Sequence, residues 1–213
     1  MNSPDDKTTR QKLLEAGESL FLKRGYEGVS VRELSEKAGV NSALINYHFQ
    51  GKRNLYREVF RKRLAEIGAK RMAALEEAVG EGGTPDLARV IRAYVSGFLG
   101  EMLSSRDMER LLDIVSREMS HSGIATDIMV KEIAAPLHRL LKDAIKRARP
   151  HLSDEKASLC IISVTGQMFH FVRAREIIKR ITGHGYTKEF VDEVVEHITE
   201  FSLRGIGQEE GKA

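Results

Sequence analysis

Tryptophan is absent from this chain, and cysteine occurs once, as Cys160. A lone cysteine closes no internal disulfide, so no disulfide framework holds the fold. A reducing compartment, the cytoplasm, is expected. Proline is scarce, with four residues, and Phe and Tyr together supply only 6%. Few prolines beside abundant Ala, Leu, Glu, Lys and Arg favour helices. Long hydrophobic runs are lacking too. The longest uncharged stretch lies between Lys156 and Arg173 and holds Ser163, Thr165, Gln167 and His170. It is too short to cross a bilayer and reads as a helix covered on more than one side, so no membrane partner is expected. The opening MNSPDDKTTR has no apolar core, which argues against a signal peptide.

What is present is a chain of 213 residues, 41% hydrophobic and 31% charged. That composition suits a soluble globular protein with a real core, and the length allows a small domain fused to a larger one. The net charge of +3 is unevenly placed. Residues 1–71 carry 15 Lys/Arg against 9 Asp/Glu, whereas the remainder carries 19 against 22. A basic N-terminal third is expected of a nucleic-acid module, although solvated helix faces would give the same imbalance.

Apolar periodicity predicts an all-α fold. Leu13, Leu14, Leu20 and Phe21 recur at helical spacing between Thr8 and Gly25, and Thr8 with Gln11 has capping-box spacing. Ser30-Val31-Arg32-Glu33 is a second such box, opening a short helix that ends before Gly39. Asn41 is placed to cap a third helix through Phe49. Further helices are predicted over 52–79, 85–103, 106–120, 124–149, 153–182 and 187–204, with a frayed tail from Gln208. No stretch alternates as a strand.

Two short helices joined by Gly39-Val40 have the spacing of a helix-turn-helix, as any tight helical hairpin would. On a helical wheel Ile45 and Phe49 share the inner face. Ala43, Asn46 and Tyr47 point away, Leu44 lies on the flank, and Ser42 sits in the first turn. Such an outward set suits the major groove. Arg32, Lys37, Lys52, Arg53 and Arg57 surround it and suit phosphates.

The run Tyr47-His48-Phe49-Gln50-Gly51-Lys52, continued by Leu55 and Tyr56, resembles the signature of the TetR family across about residues 8–60. The stretches Ala43 to Phe49 and Gly166 to Arg175 resemble its CecR-like subgroup. The resemblance implies an N-terminal three-helix DNA-binding domain (1–52) and a C-terminal helical domain (53–213) for ligand binding and dimerisation. It implies that Ser42, Ala43, Leu44, Asn46 and Tyr47 face bases or nearby backbone. It implies that Ser30, Arg32, His48 and Lys52 hold the backbone or neighbouring edges. From the residues alone, Ser30 is first a helix cap, Tyr47 could brace its helix, and His48 could cap or pack. Leu44 and Asn46 depart from the Thr and Tyr common in the family, which leaves the operator sequence open. The implied partners are double-stranded DNA with a near-palindromic operator, a second copy of the chain, and a small-molecule effector.

The resemblance further implies that the helices over 153–182 and 187–204 pair with those of the second copy. Leu159, Ile162, Val164, Val191, Val194, Val195, Ile198 and Phe201 are candidate members. Candidate effector-binding residues are Phe98, Met102, Met119, Met129, Gln167, His170, Phe171 and Arg173. The same residues also read as core Met and Phe with Gln and His hydrogen-bonded internally. An enzyme is not expected: Cys160 has no evident base, and neither HExxH nor a glycine-rich phosphate loop is present. No metal site or other cofactor is expected, because no two histidines stand at i, i+4 and there is no cysteine pair.

Overall fold

A computed structural model describes the backbone of residues 4–104 and 124–207 and the side chains of 9–100 and 126–207. The helices are α1 (Pro4–Arg24), α2 (Val31–Ala38), α3 (Ala43–Phe49), α4 (Lys52–Val79) and α5 (Leu87–Ser104). They continue as α6 (Ile124–Met129), α7 (Ala135–Ala148), α8 (Asp154–Arg173), α9 (Arg175–Thr182) and α10 (Lys188–Gly207). No strand occurs among the described residues, so the all-α expectation holds. The helix predicted over 106–120 lies outside them, as does Met119.

Several boundaries differ from expectation for identifiable reasons. Helix α1 starts at Pro4, a turn before Thr8, because the fixed φ of proline suits a first helical position. The helix expected over 124–149 contains a π-helical turn at Val130–Ala134. Pro136 follows it; it donates no bond to the carbonyl of Glu132 and its ring crowds that carbonyl, so the ladder widens there. The helix expected over 153–182 breaks at Ala174, which leaves regular helical geometry at φ −93°, ψ 15°. Tyr186 donates its hydroxyl proton to the Phe171 carbonyl at 2.7 Å, taking the acceptor that Arg175 would use.

The described residues form two compact units. The first comprises those up to Ile67 together with the segment ending at Ile133. Its core holds Leu13 and Phe21 of α1, Leu34 of α2, Ile45 and Phe49 of α3, and Leu55, Tyr56 and Phe60 of α4. The Phe21 and Tyr56 rings meet edge to face at 5.0 Å. Helices α1 and α4 approach closely at Gly17, where an added Cβ would stand 3.0 Å from Val59 Cγ2. The second unit runs from Gly68 and takes in the residues from Ala134 onward. In it α5 packs on α10 and α8, and α7 packs on α8. Val90, Val95 and Leu99 of α5 are buried, as are Leu141, Ile161, Met168 and Ile198. Arg92 clamps Glu196 through two 2.7 Å bonds, tying α5 to α10. Helix α4 is a single element of 28 residues and supplies side chains to both units.

Candidate nucleic-acid interface

The surface around α2 and α3 is built from local caps. Ser30 Oγ accepts the Glu33 backbone N–H at 3.1 Å, and the Glu33 carboxylate accepts the Ser30 backbone N–H at 2.8 Å. This reciprocal box starts α2. Gly39 ends it at φ 66°, a left-handed conformation that glycine adopts without steric cost, and its N–H returns to the Glu36 carbonyl. The Asn41 side chain then accepts the Ala43 N–H at 2.8 Å and starts α3. Ser30→Ala is therefore expected to cost about 1 kcal/mol of stability, read by thermal unfolding.

Glu33 supplies a pH signature. Its pKa is held down at about 2, first by the Ser30 backbone N–H, then by Arg24, then by the Ser30 hydroxyl. Because the folded value is depressed, the box contributes fully above the ordinary carboxylate value of 4.5. The contribution fades as pH falls from there towards 2. Unfolding curves of Glu33→Gln and of the parent should differ at pH 7 and converge near pH 2.

Helix α3 lies with Ile45 and Phe49 buried in the unit. Ser42, Ala43, Asn46 and Tyr47 are exposed, while Leu44 and His48 are half-buried. Tyr47 is 72% exposed, so it is not a core brace. Its ring meets His48 at 4.9 Å, and His48 meets Phe49 at 6.3 Å, so His48 leans on the aromatic floor of the helix. Helix α3 ends at Gln50, φ 58°, and Gly51 turns the chain into α4.

Around this face stand cations. Arg32 is exposed and pairs with Glu36 at 2.7 Å. Arg53 and Arg57 are exposed at adjacent turns of α4, and the guanidinium of Arg57 donates to Asn54 at 3.1 Å. Lys52 Nζ sits 4.0 Å from the centroid of Tyr26, a contact that sequence reading missed because 26 residues separate the two. The ring orients the ammonium, which still has three protons to donate.

In the second unit Phe98 is buried with its ring 5.0 Å from Phe169. Gln167 is half-buried and donates to the Ser163 carbonyl at 3.5 Å. Phe171 is half-buried, whereas His170 and Arg173 are exposed. Met129 is half-buried in the first unit. Met102 lies in α5 beyond the described side chains. Of the candidate interface residues, Val164, Val194, Val195 and Ile198 are buried within their own chain. Leu159, Ile162 and Phe201 stand at least 58% exposed on α8 and α10. Among the described residues no helix is long and apolar enough to cross a membrane.

Residues 13–59 match the family described as "Bacterial regulatory proteins, tetR family". Residues 87–206 match that described as "HTH-type transcriptional dual regulator CecR, C-terminal domain", which spans more than half of the chain. The chain belongs to the TetR family, with a CecR-type C-terminal domain. The HTH-type transcriptional repressor AcnR of Corynebacterium diphtheriae is 38% identical over 85 residues, which is 40% of each chain. The chain thus spans well under half the length of that relative. The HTH-type transcriptional regulator SrpR of Pseudomonas putida is 23% identical over 79% of this chain and 77% of its own. A TetR-like transcriptional regulator from Rhodococcus sp. RHA1 shares the fold, with a TM-score of 0.61 at 17% identity over 94% of this chain and 97% of that one. The family matched by the N-terminal residues is one described as bacterial regulatory proteins.

Proposed function

We propose that this protein is a cytoplasmic repressor that binds a near-palindromic operator as a homodimer and leaves it when a small molecule binds. The observation that carries this reading is the outward face of α3. Asn46 and Tyr47 are exposed beside Ala43 and Ser42, on a helix anchored by buried Ile45 and Phe49. Small and polar groups there let the helix enter a major groove, and Asn can pair with adenine through two bonds. Ser30, Arg32, His48 and Lys52 flank that face and hold phosphates or neighbouring edges.

In functional terms residues 1–52 bind DNA, and 53–213 bind the effector and the second copy. Leu159, Ile162 and Phe201 are the apolar groups that the second copy covers. Two linked heads gain effective concentration over one, and two-fold symmetry of the pair requires a near-palindrome. The effector acts by preferring one state of the protein over the other, and a coupling of about 1–3 kcal/mol changes DNA affinity by roughly 5–150-fold.

Gel shifts with DNA from upstream of its own coding sequence test the reading. With six or more phosphate contacts, affinity should fall about a thousandfold or more between roughly 50 and 200 mM salt. Affinity that barely moves would count against it. Lys52→Ala should weaken all sequences alike and lower the salt slope by roughly one per subunit. A changed base preference in that variant would show that Lys52 reads a base edge instead. Tyr26→Leu removes the 4.0 Å ring contact, along with the 5.2 Å edge contact of Tyr26 with Tyr56, while leaving the ammonium in place, and so separates the two roles of the ammonium.

A further inference from the structure

Helices α1 and α4 each turn one stripe of side chains to a shared cleft. Positions 10, 11 and 14 of α1, and 54, 57, 58, 61, 62 and 65 of α4, recur at the spacing of a single helix face. The cleft has a volume of about 850 Å³, within the range of about 300–1,000 Å³ usual for small-molecule sites. Buried Leu14 and half-buried Ala65 supply apolar lining.

The charged lining is mostly of one sign. Arg10, Arg57, Arg61 and Lys62 stand against one carboxylate, Glu58. Glu58 pairs with Arg10, whose Cζ also lies 5.2 Å from the centroid of Phe49, so this cation is held on its wall before any ligand arrives. Arg57 donates to the neutral side-chain amide of Asn54. Arg61 reaches Glu132 through Nε at 3.4 Å with its side chain 68% exposed, and such a pair is weak in water. Lys62 is exposed. Arg57 and Arg61 also border a smaller cleft of about 300 Å³ on the other flank of α4, where Asp127 and Glu132 offset more of the charge. The larger positive excess is on the side of α1.

We propose that the cleft between α1 and α4 binds a soluble anion carrying two or more linked phosphoryl groups. This site is separate from the outward face of α3 and goes beyond the repressor reading. A guanidinium fork matches the oxygens of a phosphoryl group, and a lysine ammonium meets one as a point charge. A lone carboxylate or phosphoryl group answers only part of an excess of three cations over carboxylates, whereas a linked chain meets cations of both helices at once. Operator DNA fits less well. Lys62 is ten residues along α4 from Lys52, about 15 Å at roughly 1.5 Å per residue. A concave cleft between two helices also suits a short chain better than the convex backbone of a duplex.

Calorimetry on the full chain without DNA tests this, with tripolyphosphate, orthophosphate and citrate as probes. Tripolyphosphate should bind about tenfold or more tightly than either of the others. Arg61→Gln with Lys62→Gln should weaken it by about tenfold or more and keep the circular-dichroism helix signal, since both side chains are exposed. Lys62→Glu, at one exposed position, should weaken it in the same direction if the double variant does not fold. Lys12→Gln with Lys23→Gln removes as much charge from exposed positions outside the cleft and should change affinity less than about threefold. ATP separates the sources of the chain. Affinity within about threefold of tripolyphosphate admits a nucleotide tail, and a larger loss restricts the site to inorganic chains. Citrate binding as tightly as tripolyphosphate, or equal losses in the two double variants, would reduce the effect to general charge attraction and overturn the proposal. Affinity for tripolyphosphate that survives the substitutions at Arg61 and Lys62 would put the anion on other cations, such as those beside α3, and overturns it too.

Discussion

Ile162→Glu combined with Phe201→Glu is expected to yield a folded monomer that has lost its operator. Both side chains lie at the surface of a single chain, 60% and 62% exposed, on helices that pack against each other. Carboxylates therefore meet water in the monomer and cost its fold little. In a symmetric dimer each pair is doubled, and burying unpaired charges costs several kcal/mol apiece. Losing the second head removes an avidity gain on the order of 10²–10⁴, so specific binding should vanish at ordinary protein concentrations. Sedimentation would show the mass of one chain, with the helix signal kept. A double variant that stays dimeric and holds DNA as before would take α8 and α10 out of the interface. Val195→Glu makes a contrast: Val195 is 6% exposed within its own chain, so its charge should unfold the second unit rather than release a monomer.

Asn46→Ala should weaken operator binding by about 1–3 kcal/mol and relax sequence preference at one position in each half-site. Asn46 is exposed on α3, so removing its amide leaves no buried polar group unpaired and no cavity. Its backbone carbonyl, which accepts the Gln50 N–H at 2.9 Å, is retained, so the turn into α4 survives. The loss should therefore sit in DNA affinity and not in stability. Binding titrations against a set of single-base operator variants separate the outcomes. Equal losses for every base change would make Asn46 a backbone contact.

The helix-turn-helix was legible in the sequence because its determinants are local. Ser30 and Glu33 close a ring across three residues, Gly39 supplies one left-handed turn, and Asn41 reaches two residues on. The burial of Ile45 and Phe49 followed from helical period alone. Features set across longer distances were not legible. The break at Ala174 depends on Tyr186 capturing a carbonyl 15 residues back. The π-turn at Val130–Ala134 arises where Pro136 strains a ladder that periodicity treats as unbroken. Along α10, Val195 and Phe201 are equally apolar in sequence, yet only tertiary packing turns one inward and leaves the other in solvent. Among the effector-binding candidates, burial was equally a matter of tertiary packing: Phe98 is buried, whereas His170 and Arg173 lie at the surface.

The central claim is that the exposed face of α3 reads DNA from both halves of a two-fold site. Selection of bound duplexes from a random pool, run in parallel with the parent protein and with Asn46→Ala, tests it most directly. The account predicts that the parent enriches one near-palindromic element, with half-site centres about one helical turn, or a multiple of it, apart. It predicts that the variant enriches the same element with one position per half-site blurred. Enrichment of no symmetric element, or an identical and equally sharp element from both proteins, would contradict it.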